Sequence, residues 1–432
     1  MAANIVTGTA GDDTLGGLDG VTNYFDVWQG GADTLTGGDQ ADVFIFRDML
    51  NPEDQIDGGA GNDILRLHGD TYSDGLTLGD HSLTSVENIQ FAPGANYSLT
   101  TADGNVLNDD ILTIDGAAID GEHSLTFDGS AETDGVFHIV GGHGDDFVTG
   151  GASKDIFDMR DGGEDAVHGG AGGDTIFMRG TADAGDVLDG GTGSDTVVLD
   201  GIDAVDTLAW SATSLTSVER LYLQHGNDYS IVGDDANIAA HKAMIVEDND
   251  RDPGSNTLFY DGSAETDGHY NFKPETAIAT LIGGAQSDRF DGSQTTGMTV
   301  TGGGGADLII ADGGNSGATD TFIYNAASES TSTHHDTIQN VDFQNDTFIA
   351  PWGTMGPVEE LPDHAMSKAS FDTDLGNAIS DFLAAHGATV FTANAGDLAG
   401  HSFLVIDVNG ATGYQTGADI VIDVTGFTGL NT

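Results

Sequence analysis

GGAGNDILR, residues 58–66, gives three glycines and one aspartate to nine positions, leaving little beyond Ile64 and Leu65 to bury. Glycine permits positive φ and close backbone approach, so successive carbonyls can turn toward one point. Aspartate adds a hard anionic oxygen, and oxygen-only ligation with backbone carbonyls is calcium chemistry. The last three residues read as a short strand with a single inward side chain, a sliver of core that is useful only when stacked on others.

The same nonapeptide recurs as GGHGDDFVT (141–149), GGAGGDTIF (169–177), GGTGSDTVV (190–198) and GGGGADLII (302–310). All five fit G-G-x-G-x-D-x-U-x, where U is a large apolar residue. Looser copies are GTAGDDTLG (8–16), GGDQADVFI (37–45), GGASKDIFD (150–158) and GGAQSDRFD (283–291). The pattern resembles the repeat-in-toxin (RTX) family of calcium-binding proteins. That resemblance implies an all-β, parallel β-roll or β-helix solenoid whose turns alternate between two edges, with multiple Ca2+ ions between turns i and i+2.

Asp146, Asp155, Asp165 and Asp174 follow at intervals of nine, ten and nine residues. The resemblance implies that Asp146 shares an ion with Asp165, and Asp155 with Asp174. Asp63 and Asp195 lie in turns without an adjacent copy and read as structural turns with a weaker ion or none. Asp307, Asp42, Asp33, Asp13, Asp288 and Asp320 complete the candidate metal ligands. Position four is Ser153, Gln40 or Gln286 in three copies, which argues against full sites there.

A longer period accompanies the short one. DQIDGGAGNDILRLHG (54–69) matches DVLDGGTGSDTVVLDG (186–201), SLTSVE recurs at 82–87 and 214–219, and DGSAETDG recurs at 128–135 and 261–268. The expected organisation is therefore module 1 over 1–135, a duplicate over 136–297, final turns over 298–350 and an α+β cap over 351–432. Intervening segments such as VENIQFAPGANYSLT read as further β-helical rungs or a small sandwich. The two DGSAETDG copies place Asp128, Glu132 and Asp134, and Asp261, Glu265 and Asp267, in matching settings, either as corner loops or as additional calcium sites. In EDNDRDPG, Asp248, Asp250 and Asp252 alternate as EF-hand ligands do, but the glycine comes one residue late and no helices flank it.

In the cap, SFDTDLGNAISDFLAAHG (370–387) puts Phe371, Leu375, Ile379, Phe382 and Leu383 on one helical face, with Gly387 as the C-cap. Two strand-like runs follow. This block looks like the C-terminal region of RTX proteins exported by the type I machinery, and no N-terminal secretory signal is visible. Asp407, Asn409 and Asp419 form a weak ion candidate.

The formal charge is −60, from 71 Asp+Glu against 11 Lys+Arg, with no cysteine. Such a chain repels nucleic acid, excludes thiolate chemistry, and needs abundant cations to collapse. No stretch is apolar enough to span a membrane. There is no H-E-x-x-H, G-x-S-x-G or P-loop, and THHD (333–336) reads as a polar loop, so no enzyme is expected. The expectation is a secreted calcium-binding structural protein, extracellular or on the cell surface, that self-assembles as a homo-oligomer or polymer. The alternatives are an adhesin binding cell-surface polysaccharide, with Trp28, Trp210, Tyr229 and Trp352 as its face, or a polysaccharide-modifying enzyme on a β-helix face.

Overall fold

The computed structural model describes residues 3–179, 182–201, 207–224, 228–248, 256–275, 278–312 and 319–430. The chain divides into two compact units, Met1–Ile202 with Thr213–Arg220, and Asp203–Ala212 with Leu221–Thr432. Each is a parallel β-solenoid, and each is described by itself.

In the first unit the chain winds back and forth between two faces. Asn4–Thr7, Asn23–Val27, Val43–Arg47, Ile64–His68, Asn88–Phe91, Ile111–Asp115, Val136–Val140, Ile156–Asp158, Thr175–Arg179 and Thr196–Asp200 pair in parallel, each with the next. The register aligns one inward residue per rung, so Phe25, Phe44, Leu65, Ile89, Ile114, Ile139, Phe157, Ile176 and Val197 form a continuous apolar ladder. All of them are buried. Shorter strands such as Phe147–Thr149, Ala166–His168 and Val187–Asp189 build the opposite face, with Val148, Val167 and Leu188 in register. Each such strand has one buried residue between two more exposed ones, as the x-U-x tail requires. Asn88–Phe91 and Tyr97–Thr100 are parallel rungs of this roll and form no separate sandwich.

The second unit repeats the pattern. Ile231, Tyr260, Leu281, Val300, Phe322 and Phe348 align on one face. Val246, Phe272, Phe290, Ile309 and Ile338 align on the other. Ring stacking between Phe272 and Phe290, with centroids 5.1 Å apart, adds to the area buried along that ladder.

The cap joins this second solenoid through Asp336–Gln339, which pairs in parallel with Asp419–Asp423. Ala388–Ala395, Ser402–Asp407 and Asp419–Asp423 follow one another antiparallel, while the short strands Glu359–Glu360 and His364–Ala365 pair in parallel with Ala388–Ala395. Helix α1 covers Phe371–Ile379, shorter than the periodicity predicts. The Ile379 carbonyl accepts from the amides of both Phe382 and Leu383, which loosens the helical ladder there. Leu383 still reaches the core with Phe371, Leu375 and Ile379, but Phe382 is 51% exposed and Gly387 is not the helix cap.

Candidate metal centre

Asp42, Asp63, Asp146, Asp155, Asp165, Asp174, Asp195, Asp288 and Asp307 each stand immediately before a strand, at the corner where the chain turns from one face to the other. The strand pairing stacks these corners into columns. Along one edge of the first unit, the Phe137 amide donates to Asp155 Oδ1 at 2.7 Å, Asp155 to Asp174 Oδ1 at 2.7 Å, Asp174 to Asp195 Oδ1 at 2.7 Å and Asp195 to Glu219 Oε2 at 2.9 Å. Along the opposite edge, the amides of Leu125, Asp146 and Asp165 donate to Asp146, Asp165 and Asp186. The interleaved pairs, Asp146 with Asp165 and Asp155 with Asp174, are those that alternation of edges implied.

Further columns run through Asn23, Asp42, Asp63 and Glu87 and through Asp13, Asp33 and Asp54. In the second unit they run through Asp288, Asp307 and Asp336 and through Asp320 and Asp346. Asp63 and Asp195 are therefore not isolated, which corrects the reading from sequence spacing. Asp63 stacks on Asp42, and Asp195 on Asp174, because the partner turn lies one full circuit away rather than next in the chain.

The second carboxylate oxygen sorts the turns into two kinds. In one kind it accepts the amide of the turn's own second glycine. Gly38 donates to Asp42, Gly142 to Asp146, Gly151 to Asp155 and Gly284 to Asp288, at 2.6–2.8 Å. In the other kind that glycine has turned to positive φ, as Gly59, Gly170, Gly191 and Gly303 do, and so has the fourth residue, Gly61, Gly172, Gly193 or Gly305. Oδ2 of Asp63, Asp174, Asp195 and Asp307 is then buried with no hydrogen-bond partner. The stacking is close enough that a Cβ on Gly170 would run into the Gly151 carbonyl oxygen, and one on Gly303 into that of Gly284.

Burial dominates the electrostatics. Loss of solvent pushes the carboxyls of Asp63, Asp146, Asp155 and Asp288 up to about 6, Asp174 to about 7 and Asp165 to about 8. Asp33, Asp195 and Asp320 are raised for the same reason, and Asp307 is raised by burial and then by Asp336 beside it. A column of like charges with unsatisfied buried oxygens is an unstable arrangement for a protein alone. Calcium fits it, because Asp63, Asp174, Asp195 and Asp307 supply anionic oxygens among closely stacked backbone carbonyls.

Position four separates the two kinds in part. Gln40, Ser153 and Gln286 fall in turns whose aspartate is capped by its own loop, yet each of those turns lies beneath an uncapped one. GGHGDDFVT has the full motif and is nevertheless capped at Asp146, and neither its Gly142 nor its Gly144 takes a positive φ. Asp320 has both oxygens occupied, by the amides of Met298 and Asp312, and Asp13 binds the Thr9 hydroxyl. Sequence reading missed Asp54, Asp186, Glu87, Glu219, Asp336 and Asp346, which end or continue the columns without a Gly-Gly pair.

The other candidates are placed as follows. Asp407 and Asp419 are buried opposite one another across the antiparallel cap strands, while Asn409 turns away to bond Gln415. Asp248 is buried at a strand end, and Asp250 and Asp252 lie outside the described residues. Within THHD, His335 stacks on Phe371 and Asp336 belongs to a column. Trp210 and Tyr229 are buried and Trp352 donates to the Asp407 carbonyl, so these aromatics do not form an exposed binding face.

Residues 29–46, 53–71, 138–158 and 299–316 match the RTX calcium-binding nonapeptide repeat family. No curated protein matches the chain.

Proposed function

This chain is an RTX-repeat protein whose nonapeptides bind calcium, and we propose that it is a structural component that folds and self-assembles outside the cell. Calcium is the switch. Where it is scarce, the stacked carboxylates oppose folding, and where it is plentiful, binding energy becomes folding energy. Type I export and the lack of catalysis belong to the same reading, and RTX repeats are typical of proteins exported by that route.

The observation that carries self-assembly is the first rung. Among the described residues, Asn4–Thr7 is hydrogen-bonded along one edge only, to Asn23–Val27. Around it Ile5 is 72% exposed, Leu18 58% and Trp28 52%. A solenoid end with a free strand edge and apolar side chains is a surface onto which another β-rung can add. The occupant is a second copy, whose acidic charge requires calcium at the junction.

Sedimentation velocity in millimolar calcium and in chelator tests this, with Ile5→Lys/Trp28→Ser alongside the wild-type chain. Large, reversible, calcium-dependent species that are lost in the variant are expected. A compact monomer in calcium for both chains would end the assembly reading and leave calcium a folding role alone.

A second reading rests on a different feature. Arg66, His68, Gln90, Pro93 and Asp115 line a pocket of about 410 Å³ on one face of the first unit. Here Arg66 donates to Gln90 at 2.8 Å, placing a cation and an amide together in an otherwise acidic protein. This suits an acidic glycan, and a screen of anionic polysaccharides tests it.

A further inference from the structure

The duplicated DGSAETDG loop lies outside the nonapeptides, beneath the glycine-capped turns of Asp155 and Asp288. Its glutamate occupies the corner on which the first such turn stacks, because the Glu265 carbonyl accepts the Ala285 amide at 2.8 Å and the Glu132 carbonyl the Ala152 amide at 2.9 Å. Glu265 is fully buried. Its side chain folds back on its own loop, where Oε1 accepts the amides of Asp267 at 2.9 Å and Gly268 at 2.6 Å. Oε2 has no hydrogen-bond partner.

An upstream residue completes the arrangement. Asp235 opens the 3-10 turn Asp235–Asn237, and its Oδ1 accepts both the amide and the hydroxyl of Thr266 at 2.7 Å. The result is that one carboxylate oxygen from each of Asp235, Glu265 and Asp267 lies within 4.8 Å of the others. Asp261, which sequence reading grouped with Glu265, instead accepts the Ser263 amide within its own turn.

We propose that Asp235, Glu265 and Asp267 form a binding site for a hard divalent cation, distinct from the nonapeptide sites. Three like charges this close repel one another, and a buried carboxylate oxygen without a partner costs free energy. A cation between them removes both costs. The donor set is all carboxylate, which selects calcium or magnesium over zinc or copper, and a site mixing one fixed buried ligand with two solvent-facing ones suits the flexible coordination of calcium.

The first module keeps the same construction. Asp103 Oδ1 accepts the amide and hydroxyl of Thr133, Glu132 Oε1 accepts the amides of Thr133, Asp134 and Gly135, and Glu132 Oε2 is again buried and unpartnered. The same oxygen is left open in both copies, and the threonine bonds to the upstream aspartate and the last two loop amides to the glutamate recur, while the Thr133 amide bond to Glu132 is found in the first copy. Asp103, Glu132 and Asp134 are the sequence counterparts of these three, and among the described residues it is Asp235, Glu265 and Asp267 whose carboxylates come within 4.8 Å of one another.

Native mass spectrometry of the full chain, loaded with calcium alone, tests the proposal by counting ions. Asp235→Asn/Asp267→Asn alters two exposed side chains and keeps an Oδ1 acceptor for Thr266, so the fold should survive. It should hold one calcium fewer per chain than wild type. Glu265→Gln, which keeps the Oε1 acceptor, should show the same loss, and Asp261→Asn should keep the wild-type count. Circular dichroism in calcium confirms that each variant is folded. Folded variants of Asp235/Asp267 and Glu265 with the wild-type ion count would overturn the proposal.

Discussion

The Asp174 amide donates to Asp195 Oδ1 at 2.7 Å, while Oδ2 of both aspartates is buried without a partner. One oxygen of each carboxylate thus maintains the stack and the other is open to an ion. Asparagine at either position would keep the Oδ1 acceptor and remove the charge. Asp174→Asn or Asp195→Asn should raise the calcium concentration at the folding midpoint by roughly tenfold or more, by analogy with what weaker perturbations of metal sites do. Asp146→Asn should shift it less, because both Asp146 oxygens already accept amides. A calcium titration followed by circular dichroism checks the order.

Gly191 sits at φ 87°, and a Cβ there would run into the Gly170 carbonyl oxygen. Gly191→Ala should therefore cost more than the ~1–2 kcal/mol of a left-handed alanine. Gly16 has an ordinary φ and open space around it, so Gly16→Ala should stay within about 0.5 kcal/mol. Thermal unfolding in saturating calcium compares the two.

Protons and calcium act in opposite directions. Asp165 at about 8 and Asp174 at about 7, against an ordinary 3.8, mean that the folded calcium-free chain binds protons more tightly than the unfolded one. That contribution is fully present below the unfolded value and lost as pH rises through 7 to 8. In chelator, the chain should be more structured at pH 5 than at pH 8. With calcium present, protons compete for the same oxygens, so the calcium midpoint should rise as pH falls. Circular dichroism across pH, with and without chelator, reads both.

In the cap, Leu375 is fully buried while Phe382 is exposed. Leu375→Ala should cost about 2–5 kcal/mol and Phe382→Ala almost nothing. Differential unfolding monitored by calorimetry distinguishes them.

The solenoid was legible because its determinants are local. The glycines of 58–61 set the turn, Asp63 follows, and Leu65 is the inward residue, all within one nonapeptide. Column membership was not legible in the same way, since Asp195 meets Glu219 24 residues later through strand pairing alone. A signal did exist for Asp54 and Asp186, which occupy matching places in the duplicated segments 54–69 and 186–201. The two kinds of turn were the least legible feature. Gly142 and Gly170 stand at the same motif position in full copies of the motif, yet Gly142 caps Asp146 while Gly170 has positive φ. The helix was overextended for a similar reason, as periodicity alone could not show the ladder loosening at Ile379.

Alternation of the corners between two edges limits how such a chain can change length. Each turn is matched to the one a full circuit away, so an insertion of one nonapeptide would move every later corner to the opposite edge and exchange the partners of the turns that flank the insertion. An insertion of two restores the phase. In this chain a slip of a single repeat should therefore cost stability at the insertion point and exchange the faces beyond it, whereas gain or loss of a whole circuit leaves both edges in phase.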